Sequence, residues 1–362
     1  MNSIRPRVPL ALWLLACFSG WFAFPAGSSQ VETVVGPPAQ YTWVHRLRIE
    51  GHLALHYSPD GAFSPDGSVL AVVTGARLAL TSLSEARIQK VLHPHIPEIS
   101  SLDIQSANFV SPERLFILAS GLLRPQKHGA PPATPELGFQ WDIQPDALFG
   151  KVSAIGVGGG FLPVRYFPHL GYLALYKDST FTVWNPLNGR GGSVKIPQLT
   201  HAPRLFDFSP DGHWLLLAQI EMNASPDPIV VLLKQHEFVN VLAGHHGVVL
   251  GMMFSRDGNK VATACEDNKV RVYSVPGWNL VETLTGNQGP VHWVEFSPDG
   301  NWVASAGEDQ TVRIWSVTTG KLVQTLTESR QPLLTVAFSP DGQYLAASAA
   351  NEVQVWARQA TD

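Results

Sequence analysis

Two cysteines, Cys17 and Cys265, are all that this 362-residue chain contains, so at most one disulfide can form and a Cys-x-x-Cys metal or redox motif is excluded. Charge is also sparse. Only 15% of residues are charged and the net charge is −4, with no basic run and no acidic tail, which argues against nucleic acid as a partner. The chain lacks a Gly-x-Ser-x-Gly nucleophile elbow, a His-Glu-x-x-His pair and a calcium loop. Neither a catalytic residue nor a metal nor a cofactor is expected. The 17 residues 8–24 are apolar or small apart from Ser19, but are interrupted by Pro9, and they fall short of the roughly 20 needed to span a bilayer.

The basic residues Arg5 and Arg7 precede that apolar run and small residues follow it at Ala26-Gly-Ser-Ser29, the order of an export signal. Residues 1–28 are therefore expected to be a cleaved signal or a membrane anchor, with a linker over 29–40. Leu14-Leu-Ala-Cys17 resembles a bacterial lipobox, which makes Cys17 a candidate for lipidation. Cys265, two residues before Asp267, reads as a small core residue.

What the chain does have is repetition. Phe-Ser-Pro-Asp-Gly, or a near copy, begins at Phe63, Phe208, Phe254 (with Arg256 in place of Pro), Phe296 and Phe338, the last three spaced 42 apart. That period is the length of a four-stranded propeller blade. In the copy around Phe296, alternating residues from Pro290 to Phe296 read as a strand and Ser297 to Gly300 as a turn. Strands then follow at Trp302 to Ala306, Thr311 to Trp315 and Lys321 to Leu326. Worn copies at Phe109 and Tyr166 bring the number of hinges to seven.

The last repeat stops one strand short, while Tyr41 to Ile49 is a strand without a blade. Pairing between Trp43–Ile49 and Val353–Trp356 is expected to close the ring and remove exposed edges. Tyr57 to Gly67 holds two hinge phrases in tandem, of which Phe63 is the working one and the other a looped insertion.

An Asp stands six residues before an aromatic at Asp178 and Trp184, Asp267 and Tyr273, and Asp309 and Trp315. On these residues and the hinges, residues 41–358 resemble the WD-repeat (WD40) family, with residues 359–362 a tail. The resemblance implies an all-β fold, a seven-bladed propeller of four-stranded antiparallel blades. It also implies a hydrogen-bonded set in each blade, here His245, Thr263, Asp267 and Tyr273 in blade five. Blade six offers Ser305, Asp309 and Trp315, with Asn287 where the His belongs, and the last repeat has Asn351 near the Asp position. Incomplete sets imply that several blades rely on apolar packing.

The function implied is a non-enzymatic, monomeric scaffold that binds a protein or peptide, with membrane contact confined to the N-terminal segment. The Ser-Pro-Asp-Gly hinges resemble those of bacterial members, so a periplasmic, extracellular or membrane-attached location is expected. Partners of this family often dock on the face carrying the loops between strands two and three. Two such loops are enlarged, at 121–135 and 221–228. Candidate contacts there are Arg124, Lys127, His128 and Lys177, with Glu266, His292, Trp293 and Glu308 on neighbouring blades. The competing reading is an exported propeller enzyme (a lactonase, quinoprotein dehydrogenase or peptidase-associated domain) with a central-channel site. The mostly apolar innermost strands, such as Leu205-Phe-Asp207 and Val291-His-Trp293, argue against it.

Overall fold

The computed structural model describes residues 41–52, 62–97, 99–123, 135–144, 146–157, 164–167, 172–177, 179–185, 190–196, 203, 205–218, 227–233 and 237–360. The expected signal with Cys17, the linker, the tandem hinge at 57–61, the loop residues Arg124, Lys127 and His128, and Asp178 lie outside them. Among the described residues the ordered elements are strands, arranged as seven antiparallel sheets, one per blade.

Six sheets have four strands; blade one has three, Val69–Thr74, Arg77–Ser82 and Arg87–Leu92. Its innermost position is filled by two isolated bridges, His52 to Val73 and Phe63 to Leu70. These bridges lie three residues apart on the second strand but eleven apart on the inner one, so eight residues are extra. That surplus falls between His52 and Phe63, the stretch of sequence that holds the first copy of the tandem phrase.

The repeated phrase is explained by one local hydrogen-bond set. In blade six the Ser297 hydroxyl donates to Asp299 Oδ1 at 2.5 Å and accepts from the Trp302 amide at 3.0 Å. Asp299 Oδ1 also accepts from the Asn301 amide at 3.1 Å. Gly300 closes the turn at φ +70°, a conformation in which a side chain would be strained. The same Ser–Asp bond recurs at Ser64, Ser209, Ser255 and Ser339. Each turn thus satisfies its own polar groups while projecting the preceding Phe inward.

The ring closes as expected. Strand Tyr41–Glu50 pairs antiparallel with Glu352–Ala360, with Ile49 opposite Val353 and His45 opposite Trp356. The partner strand continues to Ala360, two residues past the end expected from the sequence. Gln324, on the outermost strand of blade six, accepts from the Trp43 amide and donates to the Trp43 carbonyl, both at 2.8 Å. The side-chain amide therefore imitates a strand neighbour and ties the closing strand to the next blade.

Packing between blades supplies the core. Trp141, Tyr273, Trp315 and Trp356, each on a third strand, are fully buried. Clusters of buried apolar residues straddle the seams, including the one where Phe63 and Leu70 of blade one meet Val353 and Ala346 of blade seven. This contact completes the circle.

Blade two departs from the others. Its strands Ile99–Ser111, Arg114–Leu123, Pro135–Asp142 and Ala147–Val157 stay paired to Ile99–Leu123 and Pro135–Val157. The expected loop over 121–135 is corrected by this: residues 121–123 and Pro135 belong to strands. Beyond the hinge pair, its second strand runs eight residues (Leu115 to Leu123), against four in blade five (Val261 to Cys265). Four more residues at ~3.3 Å each raise the blade by about 13 Å on the face opposite the hinges.

Candidate partner-binding face and central cavity

The side-chain network of blade five is centred on His245. Its Nε2 lies 2.8 Å from Thr263 Oγ1 and its Nδ1 2.8 Å from Asp227 Oδ1. An ionised carboxylate only accepts, so Nδ1 carries the proton and Nε2 accepts from the Thr263 hydroxyl. Burial is the main cause that lowers the His245 pKa, consistent with this neutral tautomer.

The expected link from His245 to Asp267 is not formed. Asp227, from the preceding blade, takes that place, while Asp267 bonds Arg271 at 2.6 and 3.2 Å and the His246 amide at 3.1 Å. Burial opposes ionisation of Asp267, but the Arg271 and backbone bonds outweigh it and hold the pKa at about 2. Tyr273 donates to the Ala243 carbonyl at 2.9 Å.

Blade six is more complete than its sequence implies. Asn287 substitutes for the missing His: its Oδ1 accepts from Ser305 and Arg313, each at 3.3 Å. Trp315 Nε1 donates to Ser305 Oγ at 3.0 Å, and Arg313 bonds Asp309 at 2.5 Å. In blade seven the acid is Glu352 and not Asn351, which is exposed. Glu352 accepts from Ser329 Oγ at 2.9 Å and pairs with Arg48 of the closing strand. Apolar packing alone is therefore not what holds these blades. In blade three, Trp184 pairs through its backbone with Leu173.

Cys265 is fully buried, its thiol donating to the Gly247 carbonyl at 3.3 Å. Burial pushes its pKa up to about 11, so it is an unreactive core residue.

Three candidate contacts are brought together on the face opposite the hinges. Glu266 and Glu308 are exposed, and His292 Nε2 lies 2.9 Å from Glu308 Oε2. Trp293 is corrected: its ring is 2% exposed, packed in the core between blades six and seven, because the strand's alternation turns it away from His292. Lys177 ends the strand Tyr172–Lys177 at the same rim.

The other face holds a cavity of about 230 Å³ where the innermost strands end. Six hinge phenylalanines line it: Phe63, Phe109, Phe208, Phe254, Phe296 and Phe338. Blade three contributes Phe167, the neighbour of its hinge residue Tyr166. The wall also includes Asp207 and Glu295, which are 3% and 4% exposed, and the rim includes Arg256. The channel is thus less apolar than the sequence suggested. Among the described residues, no three His, Cys, Asp or Glu side chains form a metal-ligating group.

A closed ring of seven antiparallel blades, with Asp–Arg ties in blades five and six and a Ser–Trp tie in blade six, is a seven-bladed β-propeller. The family described as WD domain, G-beta repeat matches residues 236–274, 278–316 and 320–357, so three WD40 repeats are found. Each match begins with the outermost strand of one blade and continues through three strands of the next. This offset is what leaves the last blade in need of the N-terminal strand. A search of curated proteins found no match.

Proposed function

We propose that this chain is a non-enzymatic scaffold that binds a protein or peptide partner on the face opposite its hinge turns. WD40 propellers typically serve as protein-interaction scaffolds, and the matched repeats carry that expectation here. The observation favouring this face is blade two, whose second strand runs four residues farther than that of blade five, about 13 Å at ~3.3 Å per residue. The raised blade stands across the ring from the exposed Glu266 and Glu308 and the half-buried His292, so that a partner on this face meets both sectors. Arg124, Lys127 and His128 fall in the sequence between the second and third strands of blade two, outside the described residues. Basic and acidic sectors orient a partner and speed its encounter more than they raise affinity.

We further propose export of the chain by residues 1–28, to a periplasmic or extracellular site, or to a membrane through lipidated Cys17. The mass of the mature N-terminus separates these fates. The binding reading is tested by affinity capture from a native envelope fraction. Replacing residues 124–134 by a short Gly-containing turn should reduce capture at least about fivefold while leaving unfolding unchanged, since loop length contributes little to stability. Equal capture by the trimmed chain would move the site elsewhere.

A further inference from the structure

The cavity on the hinge face is unlike the partner face in shape and chemistry. It is small and lined by a phenylalanine residue from each of the seven blades. At about 230 Å³ it is below the ~300–1,000 Å³ of pockets for drug-sized ligands, the scale of a small organic molecule.

The polar groups decide which solute. Asp207 Oδ2 accepts from the Phe254 amide at 2.7 Å, and Glu295 Oε1 accepts from the Phe338 amide at 3.2 Å. Each carboxylate therefore ties its blade to the next. A carboxylate has about four acceptor sites, so such a tie is compatible with facing a ligand as well. Two carboxylates on the wall of one cavity build a negative potential inside it, strengthened where water is excluded.

Arg256 completes the arrangement. It occupies the position that is proline in the other intact phrases, at Pro65, Pro210, Pro298 and Pro340. Its side chain is exposed, lines the cavity rim, and reaches two blades across to the Pro340 carbonyl, with Nη1 at 3.4 Å. That bond is long and solvent-accessible, so the guanidinium can swing aside.

We propose that this cavity binds a small organic cation, an ammonium group with an apolar body, and that Arg256 guards the rim as a like charge. The ammonium faces Asp207 and Glu295, and its alkyl groups contact the hinge phenylalanines.

The test is calorimetric titration of the purified chain with choline, and with 3,3-dimethyl-1-butanol as the neutral molecule of the same shape. Choline should bind at least about tenfold more tightly than the alcohol, the charge supplying the difference. Glu295→Gln keeps an acceptor for the Phe338 amide and should weaken choline about fivefold without touching the alcohol. Arg256→Pro restores the phrase of the other blades and should tighten choline about threefold. Equal binding of the two probes, failure of choline to bind the native chain, or an Arg256→Pro variant with unchanged affinity would overturn the proposal. The Pro variant keeps the test decisive should the Gln variant fold poorly.

Discussion

Replacing Trp43 by Ala is the perturbation that bears most on how the ring is closed. Trp43 is 8% exposed and belongs to the core shared by blades six and seven, where its ring meets Phe338 edge-on at 5.7 Å. Truncating a buried Trp costs about 3–5 kcal/mol, and the lower end applies on an outermost strand whose surroundings can relax. The backbone clasp from Gln324 survives the change, because it uses the Trp43 amide and carbonyl. A loss of about 3 kcal/mol, spread over residues 41–360 at about 2.1 cal/mol/K of unfolding entropy each, lowers Tm by roughly 4–5 °C. Differential scanning calorimetry measures this directly. Val44→Ala is the matched control: Val44 is 42% exposed on the same strand, and its loss should shift Tm by no more than about 1 °C. A Trp43→Ala chain melting within 1 °C of the native one would refute the view that this strand is integral to the fold.

The polar networks make further predictions. Asp267 has a folded pKa of about 2 against 3.8 for the free side chain, so its pairing stabilises fully above about pH 4 and is lost as pH falls towards 2. Asp267→Asn should cost roughly 2 kcal/mol at pH 7 and flatten that acid limb of a stability–pH curve. His245 acts at higher pH: with its pKa lowered by burial, the unfolded chain takes the proton first, and stability should fall as pH drops below about 6.5. A His245→Gln chain should lack this inflection. Glu352→Ala leaves Arg48 and Ser329 without their acceptor and should destabilise by about 3 kcal/mol, whereas Asn351→Ala, on an exposed side chain, should change stability by less than about 0.5 kcal/mol.

These contrasts mark where the sequence was legible. The hinge phrase was readable because Ser297, Asp299 and Gly300 satisfy one another within five residues, so chemistry and spacing are local. Seven hinges and a leftover N-terminal strand then led to the closed ring. The networks were only half readable. Arg271 and Arg313 were missed although each sits four residues after its Asp, because their reach depends on strand register. Asp227 was missed because it comes from another blade, and Glu352 because its blade has shifted the acid by a residue from Asn351. The Pro and Gly content of 121–135 drew the loop too wide, hiding the strand formed by Leu122 and Leu123. Asp207 and Glu295 read as isolated polar residues on apolar strands, and they meet one cavity only once the ring has closed.

Site-specific photo-crosslinking in the native host tests the scaffold reading most directly. A photoreactive phenylalanine analogue replaces Glu266 or Glu308 on the proposed binding face, or Asn301 or Gln343 on the hinge turns; all four side chains are exposed. The account predicts that irradiation joins the chain to a single protein partner from Glu266 and Glu308, and to none from Asn301 or Gln343. Adducts arising from the hinge positions alone, or from no position on either face, would contradict it.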